Sequence, residues 1–358
     1  MLRPFSFPAV FTVWQFAPIV TCAVVILAGL YLWGVVRVAR RHPARRWPAW
    51  RTGMFLGGLA VVVLATQSGI GAYDDVLFWD HMVQHLMLIM VAPVLFIFGQ
   101  PITLLLHASR NPLHSWAKRV LRSRVASFFT WPVFGCVAYT VAVIGAHLTG
   151  FANLVQTNQA VHNAEHALFL VVGYLFFLPI LGREPIRWRL TYPVRFIILV
   201  LIMPVDTFTG LMLGYGTAGT PGVPAVHPAW APASVSDLHL GGAVRWIGGD
   251  GIMFGLMMLV YLMWSLDDRA ATSGHGWLEA ARRANLASLV AAHPAPRAME
   301  GAGPDGAGSG AGGVGADAGP APAAVSWDSR GGIDDDEHLA AYNAFLARLN
   351  EAESRRKQ

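Results

Sequence analysis

Seven stretches of roughly twenty apolar residues, at about 16–36, 54–71, 80–106, 127–148, 163–181, 194–214 and 247–266, constrain this chain more than any other feature. Each approaches the ~20 residues that a helix needs to cross the hydrocarbon core of a bilayer. Inside hydrocarbon every backbone N–H and C=O must find a partner within the protein, so uncharged runs of this length become helices. The expectation is an all-α polytopic membrane protein with seven transmembrane helices. Composition agrees, since 54% of the 358 residues are hydrophobic and only 13% are charged. The first run has no basic leader and no small-residue cleavage site, and Arg37, Arg40, Arg41, Arg45 and Arg46 follow it. It therefore reads as a retained span and not as a signal peptide.

The cations are ordered by topology. Connections after the first, third and fifth runs carry Arg37, Arg40, Arg41, Arg45, Arg46 and Arg51, then Arg110, Lys118, Arg119, Arg122 and Arg124, then Arg183, Arg187, Arg189 and Arg195. Only Arg3 and Arg245 fall on the other side. The positive-inside rule then predicts the N-terminus outside and the C-terminus inside. A net charge of +5 spread in this way belongs to membrane topology, and nucleic-acid binding is not indicated. Cys22 and Cys136 lie in separate apolar runs, form neither a CxxC pair nor a disulfide framework, and read as packing residues.

Residues 1–268 thus form the expected membrane domain, and the composition changes after Asp268. Residues 269–300 read as a cytosolic amphipathic segment, and 301–331 as a disordered Gly/Ala/Pro linker unable to bury enough apolar surface to offset ordering entropy. Residues 332–358 read as a short cytosolic helix, with acids at its start and Leu339, Tyr342, Phe345, Leu346 and Leu349 on one face.

Histidine placement is the main functional signal. His81 and His85 open the third run and His162 and His166 the fifth, each pair at i,i+4 and so on one helix face. Both helices run in the same direction, which puts the pairs at similar depth on the outer side. His147 closes the fourth run on that side, and His227 and His239 lie in the loop before the seventh. One interfacial histidine usually bonds a headgroup or a carbonyl, whereas two such pairs on one side point to a metal or haem site. Candidate neighbours are Met82, Met212 and Met253 as soft ligands, and Asp75, Asp80, Glu165, Asp237 and Asp250 as carboxylate ligands or hydrogen-bond partners, although the methionines are the weaker candidates and even Met82 fits packing better than ligation.

Asp206 lies within the sixth run, roughly 12 Å from its outer end at 1.5 Å per residue. An intramembrane carboxylate needs a partner, a proton or a cation, so it reads as a ligand, as an acceptor for a histidine, or as a protonated group bonded to a neighbouring helix. His162-Asn-Ala-Glu165-His166 also matches the H-x-x-E-H pattern of zinc peptidases, but the companion pair has Gln84 where a glutamate would stand. Any haem would be noncovalent, for want of a CxxCH motif. A retinal Schiff base is excluded, because Lys118 and Lys357 are the only lysines and neither lies in a span.

These motifs resemble the seven-helix CtaG family of cytochrome c oxidase assembly factors. The resemblance covers about residues 10–268. It rests on His81-Met-Val-Gln84-His85-Leu86 with Ala92-Pro93 and Gly99-Gln100-Pro101; on His162-x-x-Glu165-His166 with Leu178-Pro179-Ile180 and Gly182; and on Asp237 with Gly241, Gly242 and Trp246. The chain departs from the family pattern at Phe177, where tryptophan is expected, and at Leu238 and His239, where glutamines are expected. Membership implies a non-enzymatic role in maturing a haem-copper oxidase in a bacterial plasma membrane, with an oxidase subunit as partner and copper handled at the outer face. The expected ligand set is His81, His85, His162 and His166, with Asp206, His147 and His239 as further candidates. From the residues alone, zinc, haem, a metal-free scaffold and an outer-face zinc hydrolase remain open alternatives.

Overall fold

A computed structural model of the chain describes residues 3–41, 46–109, 112–217, 219–223 and 228–268, together with Arg282. The three segments expected at 269–300, 301–331 and 332–358 lie outside the described residues, Arg282 apart. Among the described residues the structure is all-helical. Six helices are long and apolar enough to span a membrane: α1 (Pro18–Arg41), α2 (Ala49–Tyr73), α3 (Phe78–Ala108), α5 (Gln159–Leu181), α6 (Tyr192–Gly214) and α7 (Ser234–Asp268). The seventh is α4 (Pro132–Leu148), which reaches spanning length only together with Phe151–Thr157, bent from it by 68°.

The first half of α3 and α5 form the centre. Helix α3 packs on α2 and α5, α4 lies against α5 and α6, and α6 against α7. Helix α1 is the most peripheral, with long apolar side chains such as Ile19, Val25 and Leu30 exposed, as suits a surface facing lipid. At the histidine end, the N-terminal segment folds over the start of α3. Tyr73 Oη donates to Arg3 O at 2.9 Å, and Phe5 meets Tyr73 and Trp79 edge-on.

Helix α3 is interrupted twice. A π turn at Met87–Val91 follows His85, where Pro93 has no N–H to offer Ile89 O. The Ile89 oxygen lies where a side chain on residue 173 would begin: a Cβ there would come within 2.0 Å of it. Gly173 is therefore required for α5 to approach α3 this closely, two turns below His166. The second interruption is Gln100, in a left-handed conformation (φ 51°) between Gly99 and Pro101. Beyond it the buried Glu184 carboxylate accepts from Ile102 N at 3.1 Å and Thr103 N at 2.8 Å, capping Pro101–Ala108 from the far side of the chain.

One boundary differs substantially from expectation. Helix α7 begins at Ser234, thirteen residues before the apolar run at 247, so Arg245 is a fully buried helix residue and not a loop cation. Hydropathy misplaces the boundary because the polar side chains of this stretch are neutralised inside the protein. The Asp237 carboxylate accepts from Phe78 N at 2.8 Å and Trp79 N at 3.2 Å, and Arg245 Nη2 donates to Asp206 Oδ1 at 2.6 Å.

Candidate metal centre

The histidine layer is built from three helix ends. Asp237 of α7 caps the N-terminus of α3, which sets the rotation of its first turns and therefore where His81 and His85 point. Asn158 caps α5 through Ala160 N and Val161 N and sets His162 and His166 in the same way. Helix α4 ends at His147 and Leu148. The two histidine faces meet: ring centroids lie 4.0 Å apart for His81 and His85, 5.3 Å for His81 and His162, 4.4 Å for His162 and His166, and 6.5 Å for His85 and His166.

Hydrogen bonds fix which nitrogens carry protons. His147 Nδ1–H donates to Val143 O at 2.8 Å, so its Nε2 is an acceptor. His85 Nδ1–H donates to that atom at 3.0 Å, which leaves His85 Nε2 as a bare lone pair. This lone pair faces Glu165 Oε2 at 3.5 Å. Two acceptors turned toward each other in a buried site need a proton or a cation between them. Among the described residues, His85 Nε2, Glu165 Oε2 and His81 Nδ1 are buried and lack hydrogen-bond partners. His81, His85 and Glu165 each bring one donor atom within 4.8 Å of the other two. A cavity of about 10 Å³ lies against them, lined also by Met82, His147, Gln156 and Gly222. That volume suits one water molecule or one small ion.

A second group lies beside the first. Asp74, His162 and His166 also bring donor atoms within 4.8 Å of one another. Gln84 organises it, because its amide nitrogen donates to Ala65 O at 2.9 Å and to Asp74 Oδ2 at 2.7 Å. Its oxygen therefore accepts from His166 Nε2–H at 2.9 Å, leaving His166 Nδ1 as a lone pair. His162 Nε2 is 3.6 Å from Asp74 Oδ2, and His162 Nδ1 is 3.6 Å from Asp75 Oδ1.

Of the seven expected ligands, the structure brings His81, His85, His162, His166 and His147 together, with His147 placed to orient His85. The other two lie elsewhere. Asp206 faces Arg245 and Tyr139, whose hydroxyl donates to Asp206 Oδ2 at 2.9 Å, so the carboxylate belongs to a buried ion pair. His239 is exposed, with Nε2 3.1 Å from Gly216 O. The methionines are packing residues: Met82 sits among Phe78, Leu213 and Leu238, Met253 is in the main core, and Met212 is exposed. Asp250 accepts from Thr207 Oγ1 at 2.8 Å, remote from the histidines in the contacts it makes. Sequence reasoning missed Asp74, which forms the third corner of the second group, and the buried Arg245. The one signal for Asp74 was its place in the short Asp74-Asp75 connection immediately before the histidine helix.

Comparison with known proteins supplies a family. Residues 29–267 match the family model described as cytochrome c oxidase caa3 assembly factor. Uncharacterised proteins of Mycobacterium bovis and Mycobacterium tuberculosis are each 32% identical over 283 residues, covering 76% of this chain and 42% of the relative. A protein of Mycobacterium leprae is 28% identical over 267 residues, covering 72% and 40%. The chain thus spans about two fifths of the length of these curated relatives. No solved structure matches.

Proposed function

The chain belongs to the family of caa3-type cytochrome c oxidase assembly factors, and from that premise we propose that it binds copper in the histidine layer and delivers it to an oxidase subunit. One observation carries the reading: His81, His85 and Glu165 converge on one point with buried donor atoms that no described residue satisfies. An orphaned buried group costs about 1–3 kcal/mol, a cost that a cation at this point removes. The site fits a metal ion in donor chemistry as well as in space. Two imidazoles and a carboxylate suit zinc or copper(II), and copper(II) binds such donors more tightly along the first-row series. Three protein ligands leave a fourth position open, which delivery by ligand exchange requires.

The basic loops lie at the end of the bundle opposite the histidines. By the positive-inside rule the layer then faces the outside of a bacterial plasma membrane, where it can meet an incoming oxidase subunit. A zinc hydrolase is less well supported: Glu165 is directed at His85 and not placed as a base beside His162 and His166, and a cavity of about 10 Å³ admits no peptide. The same volume leaves no room for a porphyrin.

The test is elemental analysis of the purified full chain alongside the copper content of the oxidase in cells. Copper bound in the wild type, reduced in His81→Ala with His85→Ala, together with a copper-poor oxidase, is the expected result. No bound metal, with normal oxidase maturation in that variant, would leave a metal-free scaffold and overturn the proposal.

A further inference from the structure

We propose that the layer is a two-station site, in which Asp74, His162 and His166 hold a second divalent cation beside the one held by His81, His85 and Glu165. The inference rests on the metal-binding reading above, but the second station stands on its own atoms. His162 Nε2 is buried and unpartnered among the described residues, and it points toward Asp74 Oδ2. His166 is held with Nδ1 free by the Gln84 carbonyl, and the Asp74 carboxylate is held by the Gln84 amide. One glutamine therefore presets two of the three donors, which is how outer hydrogen bonds orient ligands in metal sites.

The donor sets of the two stations are the same, two neutral imidazoles and one carboxylate, so both take the same class of ion. Each triad draws on more than one element: α3 and α5 for the first, α5 and the connection after α2 for the second. The stations share a wall where His81 and His162 face each other at 5.3 Å. Access differs between them. Asp75, with 59% of its side chain exposed, stands at His162 Nδ1, so the second station is next to a carboxylate in contact with solvent. The first lies behind Gly222 and the Phe151–Thr157 helix, which are tied together by Asn153 Oδ1 accepting from Gly222 N at 2.9 Å. An ion arriving from solvent meets Asp75 and the second station first, and passes to the first station by exchanging ligands at the shared wall.

The experiment is copper(II) titration of the chelator-stripped full chain in detergent, with bound copper counted after desalting and paramagnetic resonance recorded on the loaded protein. The wild type should bind two ions and show dipolar broadening from two nearby copper centres. Asp74→Asn with His166→Ala should bind one ion with an undisturbed single-centre spectrum, as should His81→Ala with His85→Ala. One ion in the wild type, lost with His81 and His85 and unaffected by the Asp74 and His166 changes, overturns the second station while sparing the first. One ion lost in either pair of changes means a single shared four-histidine site and also overturns it. No ion in the wild type overturns both readings. Should a variant fail to fold, the wild-type ion count and spectrum still decide the matter.

Discussion

Replacing Asp206 by asparagine should strongly destabilise the bundle. Asp206 and Arg245 are fully buried with an N–O separation of 2.6 Å. At an effective dielectric constant of 20 their attraction is about 6 kcal/mol. Much of this offsets the desolvation of two charges, so the pair is worth far less as a whole than either partner alone would cost. Arg245 Nε and Nη1 find no partner among the described residues, which leaves the Asp206 carboxylate as the main compensation for a buried cation. Breaking one side of such a pair costs about 3–5 kcal/mol. For a domain of this size that corresponds to a melting temperature lower by roughly 6–20 °C, measurable on detergent-solubilised protein by loss of the monodisperse peak after heating. Asp206→Asn combined with Arg245→Met should recover most of the loss, because the uncompensated charge is gone and asparagine still accepts from Tyr139 Oη. If the double variant is as unstable as the single one, or the single one melts like the wild type, the buried-charge reasoning is wrong.

Other expectations follow from the same geometry. His147→Ala should weaken copper(II) binding about 10–100-fold without removing it, since His147 orients His85 and fixes its tautomer; equilibrium titration reads this directly. Gly173→Ala places a Cβ against Ile89 O and should cost about 1–3 kcal/mol in a thermal melt while lowering metal occupancy, whereas Gly145→Ala, with open space around it, should be neutral or slightly stabilising. Burial raises the Glu184 carboxyl above its ordinary 4.5 despite the donors around it, so the folded protein binds more protons there than the unfolded chain. Stability from this group falls as pH rises from the unfolded value through the folded one, and Glu184→Gln should flatten that slope in melts at successive pH values upward from the ordinary carboxyl range.

What could be read from the sequence divides along physical lines. The spans were legible because hydrocarbon imposes a length and an apolar composition on any helix that crosses it. The histidine pairs were legible because i,i+4 spacing fixes a shared face whatever the rest of the fold does. The start of α7 was not, because Asp237 and Arg245 look like loop residues until their partners at Phe78 and Asp206 are known, and those partners are 159 and 39 residues away. Asp206 announced itself as an intramembrane carboxylate, yet its position gave no means of choosing Arg245 over a histidine. Asp74 gave even less, since an acid in a connection between helices usually faces solvent. It is buried here because Gln84, ten residues on, reaches back to it.

If the layer carries metal as proposed, its charge balance bears on how an ion would be released. Each triad offers one carboxylate and two neutral imidazoles, so a divalent ion in either leaves a net charge of +1. The Asp206–Arg245 pair on the deeper side is neutral as a unit, and only the exposed Asp75 carboxylate, at 3.6 Å from His162 Nδ1, offsets part of the charge at the second triad. Were the two ions as far apart as the His81 and His162 rings, 5.3 Å, they would repel by at most about 3 kcal/mol at an effective dielectric constant of 20. A single ion is spared this repulsion and stays. When a second arrives, each would be held up to about a hundredfold less tightly, the factor that about 3 kcal/mol represents. Loading the station near Asp75 would therefore loosen the ion behind Gly222, and an oxidase subunit offering its own ligands at that point would receive an ion already destabilised by the next one.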